Sequence, residues 1–323
     1  LNCRNMIQVS AMPSTARTSL TLRPAPPYDF NLTAAAATYF RNRYGVETFE
    51  NGLYRRLLYV AGSFCLVSVG SAGSLDSPRL EVEITGKSLD ESMVSRAAEQ
   101  AAWILGIEQD LTPFYRLTRG DSILGPLIRG MRGLHVPRTA SVYEGLILAI
   151  LGQQISSQVA RMLRNLIIET YGPALEVCGI AYRGFPRPTD LAKAGVEKLR
   201  RLKLGARKAN YIWEISEAVA SGRLDLEALK NYPDEQVIEI LTRIRGIGSW
   251  TVQWLLVRSL GREDGFPFSD LALRRTLALM LQRPAPLSLQ ESLEYSRRWS
   301  PCRSYVTTYL FAAMRSGRTF IAL

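Results

Sequence analysis

Leu241-Thr242-Arg243-Ile244-Arg245-Gly246-Ile247-Gly248-Ser249-Trp250-Thr251 is the stretch from which the rest of the chain can be ordered. An apolar helical pattern over Glu235 to Ile244 stops, a Gly-x-Gly turn follows at once, and a second helical pattern runs from Trp250 to Leu260. Glycines two apart allow positive φ and leave the approach to the backbone open. The first amides of the second helix then point outward as an anion site. Such a hairpin, Gly246, Ile247, Gly248, Ser249 and Thr251, can hold one DNA phosphate without reading sequence. Taken alone it also fits a tight connection between two packed helices.

Twenty residues beyond Trp250, Gly265-Phe266-Pro267-Phe268-Ser269-Asp270 forms a glycine- and proline-containing loop that delivers an aspartate to a helix over Leu271 to Leu281. By itself Asp270 reads as an N-cap worth about 1 kcal/mol. Trp250 and Trp254 lie one turn apart on the same helix face, a spacing that serves core packing as readily as an aromatic wall.

Upstream, Ser141-Val142-Tyr143-Glu144 is a capping-box pattern opening an apolar helix through Leu151 and Gln154. Helical patterns follow over Val159 to Tyr171, Val196 to Leu202 and Ala206 to Ala220, with proline-rich joints at Pro186 to Pro188 and Pro284 to Pro286. The signal before residue 110 is different. Leu80-Glu81-Val82-Glu83-Ile84 alternates, Phe64 to Val69 is an apolar run bounded by glycines, and Leu53 to Val60 is a third strand candidate. Pro26-Pro27-Tyr28-Asp29 closes a fourth and leads into a helix over Asn31 to Arg43, and Asp90 to Leu105 reads as a second helix. The fold class is therefore α+β, a small antiparallel sheet with two helices followed by a helical body.

Composition sets limits. With 47% hydrophobic and 21% charged residues the chain is globular in type, which excludes wholesale disorder, collagen and coiled coil. The longest uncharged run, Leu57 to Leu75, holds three glycines and four serines, too turn-rich for a membrane span, so the chain reads as soluble and without a membrane partner. Forty Lys and Arg against 29 Asp and Glu leave +11, which points to a polyanionic partner. The basic run from Val196 to Trp213, with Lys198, Arg200, Arg201, Lys203, Arg207 and Lys208 against Glu197, is either a solvated face or a second backbone contact. Cysteines 3, 65, 178 and 302 match neither zinc nor iron-sulfur spacing. A single histidine, His135, leaves no room for a histidine triad or a multi-histidine metal site and reads as a loop residue. Residues 1–17 lie in an acid-free segment and read as a flexible arm rather than a transit peptide.

The hairpin, the glycine and proline loop and Asp270, at this spacing, resemble the helix-hairpin-helix superfamily of DNA base-excision glycosylases. The match narrows through Pro26-Pro27-Tyr28-Asp29, Ala149-Ile150-Leu151-Gly152-Gln153-Gln154-Ile155-Ser156, Gly246 to Thr251 and Arg298-Trp299-Ser300-Pro301-Cys302-Arg303-Ser304-Tyr305. Together these are similar to the 3-methyladenine DNA glycosylase II family over nearly the whole chain. That resemblance implies an N-terminal domain like the TATA-binding-protein half at 18–110, a helical domain with the hairpin at 139–262, and a second helical subdomain from 111–138 and 263–323 that carries the catalytic aspartate.

It further implies Asp270 as the catalytic carboxylate, with Trp250, Trp254, Leu271 and Cys302 around the base. A DNA wedge is implied at Leu151, Gln153 and Gln154. A structural Na or K ion on the carbonyls of Thr242, Ile244 and Gly246 is compatible with the family. No other cofactor is expected, and no cysteine quartet follows Asp270 to hold an iron-sulfur cluster. Bifunctional relatives carry a lysine where Trp250 stands, and no lysine follows Lys230, so a monofunctional hydrolase is expected. Aromatic residues occupy the places of Cys302 and Leu271 in the better-known bacterial form, so a less aromatic pocket is expected here.

The implied function is DNA repair: flipping alkylated purines such as 3-methyladenine and 7-methylguanine out of double-stranded DNA and hydrolysing the N-glycosidic bond to leave an abasic site. The expected protein is a cytoplasmic monomer, nucleoid-associated if bacterial. The alternatives are a non-catalytic helix-hairpin-helix DNA-binding protein and an oxidised-base glycosylase with lyase activity.

Overall fold

A computed structural model describes residues 15–317. The N-terminal part is one antiparallel sheet in the order β1-β6-β5-β4-β3-β2, built from β1 (Ala16–Leu22), β2 (Arg43–Tyr44), β3 (Glu47–Glu50), β4 (Leu53–Val60), β5 (Ser63–Ser71) and β6 (Leu80–Gly86). The alternation in β6 sends Leu80, Val82 and Ile84 inward, where they meet Met93, Ala97, Ala101 and Ile104 of α2 (Glu91–Leu105). Asp29 caps α1 (Phe30–Ala37) by accepting from the Leu32 amide at 2.9 Å.

Three expectations need correction here. The first strand begins at Ala16, so the expected arm at 1–17 is already sheet at its end, and its remainder through residue 14 lies outside the described residues. Helix α1 stops at Ala37 instead of reaching Arg43, because Tyr39 and Phe40 take φ of 56° and 58°. The chain that follows forms β2 and β3, which are too short and too charged to show as strands in the sequence.

The second part is helical: α3 (Thr112–Thr118), α4 (Leu124–Arg129), α5 (Val142–Gly152), α6 (Ser157–Tyr171), α7 (Pro188–Arg201), α8 (Ala206–Ala220), α9 (Asp234–Arg243), α10 (Ser249–Arg258), α11 (Leu271–Met280), α12 (Leu289–Ser296) and α13 (Arg303–Ser316). Short 3-10 turns at Glu227–Asn231 and Arg297–Trp299 complete it. The helical run is interrupted, against expectation, by a hairpin of β7 (Ala174–Val177) and β8 (Ile180–Arg183). Its Leu175 and Val177 cover Leu57 and Leu66 on the face of the sheet turned away from α2. Cys178 and Gly179, both at positive φ, make the two-residue turn. Besides that small cluster, the described interior has three larger ones: the sheet with α1 and α2; Val142 through Leu260; and Leu111 through Leu134 joined to Val257 through Ala313.

The expected capping box on α5 is half formed. Ser141 Oγ accepts from the Glu144 amide at 3.0 Å, but the Glu144 carboxylate turns to Arg56 of β4 instead of back to the cap. His135 does lie in a loop, yet it is fully buried. Its Nδ1 is 2.6 Å from the Gly106 carbonyl and its Nε2 3.1 Å from that of Pro27, and burial lowers its pKa. Among the described residues no helix is long and apolar enough to cross a membrane.

Candidate active site

A cleft of about 1510 Å³ opens where the sheet domain meets both helical clusters, and Asp270 lines it. The loop that brings Asp270 there is fastened at several points. The Phe266 amide donates to Gln253 Oε1 at 2.8 Å, the Gly265 amide donates to Ser304 Oγ at 2.9 Å, and the Phe266 ring is buried. A side chain at Gly265 would put its Cβ 2.9 Å from Val257 Cγ2, so this close approach needs glycine.

The two oxygens of Asp270 do different work. Oδ1 accepts from the amides of Ala272 and Leu273 at 2.9 and 3.1 Å, which caps α11. Oδ2 accepts from the indole N–H of Trp250 at 2.8 Å and of Trp254 at 3.3 Å. The cap reading and the site reading therefore hold together in one residue. The tryptophans are not a parallel wall: their rings meet edge to face, 6.4 Å apart and at 68°. Their first service is to aim and hold the carboxylate, with hydrogen bonds to a charged group worth about 1.5–3 kcal/mol each.

The hairpin between α9 and α10 is built on one strained turn. Gly246 has φ of 86°, and a Cβ there would fall 2.3 Å from the Tyr211 ring. Gly248, expected to share the positive φ, is extended instead, at φ −108° and ψ −179°, with open space where its Cβ would be. Ile247 anchors the turn in the helical core, and Gly248 and Ser249 face solvent at an α10 N-terminus that has no side-chain cap. Thr251, expected among the phosphate-facing residues, has a buried side chain that accepts from Gln153 Nε2 at 3.1 Å. Gly246→Ala is expected to cost about 1–2 kcal/mol from the left-handed backbone alone, plus the collision with Tyr211. Thermal unfolding measures this, and a melting point equal to that of the parent protein would refute the turn geometry.

The end of α5 requires the largest revision. Leu151, expected in the wedge, is fully buried in the helical core and offers nothing to the cleft. Gln153 is committed too, since its Nε2 donates to the Gly246 carbonyl at 2.9 Å as well as to Thr251. Gln154 is the exposed residue, thrust out by a left-handed backbone at φ 55°. The loop is pinned from behind by Lys208 of α8, whose Nζ donates to the carbonyls of Leu151 and Gln153 at 3.1 and 2.7 Å. Lys208 therefore leaves the basic run read as a solvated face or phosphate contact, and burial lowers its pKa.

Leu271 lines the cleft and is 44% exposed. Cys302, expected in the base pocket, is buried in the core beneath α13, outside the cleft lining, and burial raises its thiol to about 11. In its place the sequence reading missed Tyr39, Tyr44, Arg164, Arg258, Phe311 and Arg315, all of which line the cleft. They come from five separate segments, so no local pattern marks them. Tyr39 and Tyr44 stack with centroids 3.9 Å apart, and Arg164 donates to the Tyr44 hydroxyl. Burial raises Tyr44 to about 12. The same burial acts on Tyr39, but Arg258, Arg315 and Arg164 outweigh it and bring that phenol down to about 7.

Comparison with known proteins places these features in a family. Residues 147–299 match the model of the HhH-GPD superfamily base excision DNA repair protein. The DNA-3-methyladenine glycosylase of Bacillus subtilis is 32% identical over 208 residues, which cover 64% of this chain and 69% of that one. The structure of the 3-methyladenine DNA-glycosylase from Archaeoglobus fulgidus superposes with a TM-score of 0.81 at 27% identity, covering 92% of this chain and 98% of the other. A Schizosaccharomyces pombe 3-methyladenine DNA glycosylase in complex with abasic DNA gives a TM-score of 0.54 at 28% identity, over 64% and 97% of the two chains.

Proposed function

Since this chain belongs to the HhH-GPD superfamily of base excision DNA repair proteins, and within it to the DNA-3-methyladenine glycosylases, we propose that its cleft takes an alkylated purine extruded from double-stranded DNA and hydrolyses its N-glycosidic bond. The observation that carries this is the Asp270 Oδ2 held in the cleft by two indole N–H groups. Cleavage of the bond puts oxocarbenium character on the deoxyribose, and a fixed carboxylate stabilises that charge and orients the attacking water. A purine alkylated at N3 or N7 already carries positive charge and leaves as a neutral base. Gln154 fills the gap in the duplex, the one member of the expected wedge with a free, exposed side chain. The hairpin holds a backbone phosphate at Gly248 and Ser249. The protein acts as a monomer, in the compartment that holds the DNA.

Water, not an amine, ends on the sugar. Trp250 stands where lyase relatives place lysine, and among the described residues no lysine lines the cleft. A sodium or potassium ion on the carbonyls of Thr242, Ile244 and Gly246 would have to share the last two, since they accept from the Ile247 amide at 3.1 Å and from Gln153 at 2.9 Å. No chemical step depends on it. Incubation with methylated duplex DNA, followed by chromatography of the liberated bases, is expected to show 3-methyladenine and 7-methylguanine. Borohydride added during turnover is expected to trap no protein-DNA adduct. A trapped adduct would move the chain to the lyase class, and absence of any released base would leave a non-catalytic DNA-binding protein.

A further inference from the structure

The end of α5 is tied to two other elements by bonds that the hydrolysis itself does not use. Helix α5 stops at Gly152 and leaves carbonyls without helical partners. Lys208 of α8 takes two acceptors there, the Leu151 carbonyl at 3.1 Å and the Gln153 carbonyl at 2.7 Å. The second oxygen belongs to the peptide that joins Gln153 to Gln154. The orientation of that peptide sets ψ of Gln153, 132°, and φ of Gln154, 55°, the left-handed value that turns Gln154 outward. A residue other than glycine stays in that region only where its surroundings impose it. Among the described residues no carboxylate pairs with Lys208, so the ammonium serves these two carbonyls, and a cation suits the C-terminal end of a helix.

The same helix holds the phosphate hairpin. Tyr211 lies one turn after Lys208 on the same face of α8, and a Cβ at Gly246 would fall 2.3 Å from its ring. The Arg245 guanidinium sits 5.6 Å from that ring centroid and pairs with Glu214 of α8. Gln153 closes the triangle, since its Nε2 donates to the Gly246 carbonyl at 2.9 Å and to Thr251 Oγ1 at 3.1 Å. The end of α5, the hairpin and α8 are thus braced against one another from three sides. The brace also borders the chemistry: a Cβ at Gly152 would lie 3.8 Å from the Trp250 ring, and Trp250 donates to Asp270.

We propose that Lys208 and Gln153 are positioning residues for base extrusion, which fix Gln154 rigidly to the phosphate-holding hairpin so that gripping the backbone and opening the duplex act as one unit. This rests on the readings of Gln154 as the residue that fills the gap and of the hairpin as the phosphate grip. Extrusion rotates a nucleotide out about its own backbone against stacking and pairing. A Gln154 free to swing relative to the hairpin would yield to the stack. Held to the hairpin, it pushes from a fixed point on the strand. A lesion with no pairing partner opposes extrusion less and needs the brace less.

The test uses the full chain and two duplexes with one 7-methylguanine each, placed opposite cytosine in the first and opposite an abasic-site analogue in the second. Free base is measured under single-turnover conditions. Lys208→Met and, separately, Gln153→Met are expected to lose about ten-fold or more of release from the paired duplex and less than about three-fold from the unpaired one. Release from the unpaired duplex certifies the folded state, and if one variant does not fold the other carries the same expectation. Gln154→Ala is expected to show the same selective loss. Because Lys208 acts through Gln154, Lys208→Met combined with Gln154→Ala is expected to match Gln154→Ala alone within about three-fold on the paired duplex. Parallel losses on both duplexes from Lys208→Met and Gln153→Met would mean a general packing role and would overturn the proposal, as would no loss on either or fully multiplied losses in the double variant. Those results would leave the reading of Gln154 intact if Gln154→Ala alone were selective. If Gln154→Ala is not selective, that reading falls and the proposal with it. Release from neither duplex by the unmodified protein overturns the glycosylase reading as well.

Discussion

Asp270→Asn is expected to lower base release from methylated DNA by about 10²–10³-fold, the usual loss when one preorganised electrostatic partner of a transition state is removed. The substitution separates the two tasks of this side chain. Asparagine caps helices as well as aspartate does, so α11 keeps its start and the loop keeps its place. What disappears is the negative charge of the oxygen facing the cleft. The amide also has only one oxygen for the four N–H groups that now share two, those of Ala272, Leu273, Trp250 and Trp254. One pair of donors is left facing an NH₂ group, a stability loss of about 1–3 kcal/mol. Single-turnover release and DNA-binding anisotropy, measured on the same preparation, are expected to part: release falls and affinity for duplex DNA stays. Unchanged release would mean that the carboxylate serves only as a cap and that the reacting group lies elsewhere in the cleft.

The features legible in the sequence share a physical basis. The alternation of Leu80 to Ile84, the hairpin glycines and the cap at Asp270 are local, because each is dictated by period, turn geometry or an orphan amide within a few residues. The superfamily resemblance could be stated because Gly246 to Thr251 and Asp270 are held at a spacing set by one helix and one loop. What the sequence concealed was tertiary. Leu151 and Gln154 are neighbours in one motif, and only the packing of α5 and the positive φ at Gln154 decide that the first is core and the second is exposed. Lys208 looked like one more surface cation, yet the end of α5 needed donors for its last carbonyls and drew it in. Cys302 stands in a family motif and points into the core. The arginine and tyrosine wall assembles from segments more than two hundred residues apart along the chain, which no window of sequence can reveal.

Arg56→Leu is expected to destabilise the protein by about 3–5 kcal/mol, the typical result of removing one partner from a buried charge network. Arg56 of β4 gives Nη1 to Glu47 Oε1 at 2.8 Å and Nη2 to Glu144 Oε2, and the Tyr54 hydroxyl donates to the same Glu47 oxygen at 2.8 Å. The Arg56 side chain is only 3% exposed and those of Glu47 and Glu144 are 11% and 5% exposed, so water would not replace the lost cation. Glu47 belongs to the sheet and Glu144 to the first turn of α5, so this network fastens the N-terminal domain to the helix that ends at Gly152, just before Gln153 and Gln154. The diverted half of the capping box now has a reason: Glu144 gives up its contribution at the cap to join the two domains. Chemical denaturation distinguishes this from simple overpacking. Removing all three charges together, as Arg56→Met with Glu47→Leu and Glu144→Leu, is expected to recover most of the loss, because apolar packing avoids the desolvation of three ions. If Arg56→Leu alone unfolds at the same denaturant concentration as the parent protein, the two carboxylates reach solvent and the network does not hold the domains together. If instead the triple variant is as unstable as the single one, the shape of the arginine, not its charge, is what the interface needs, and the cleft between the domains is set by packing alone.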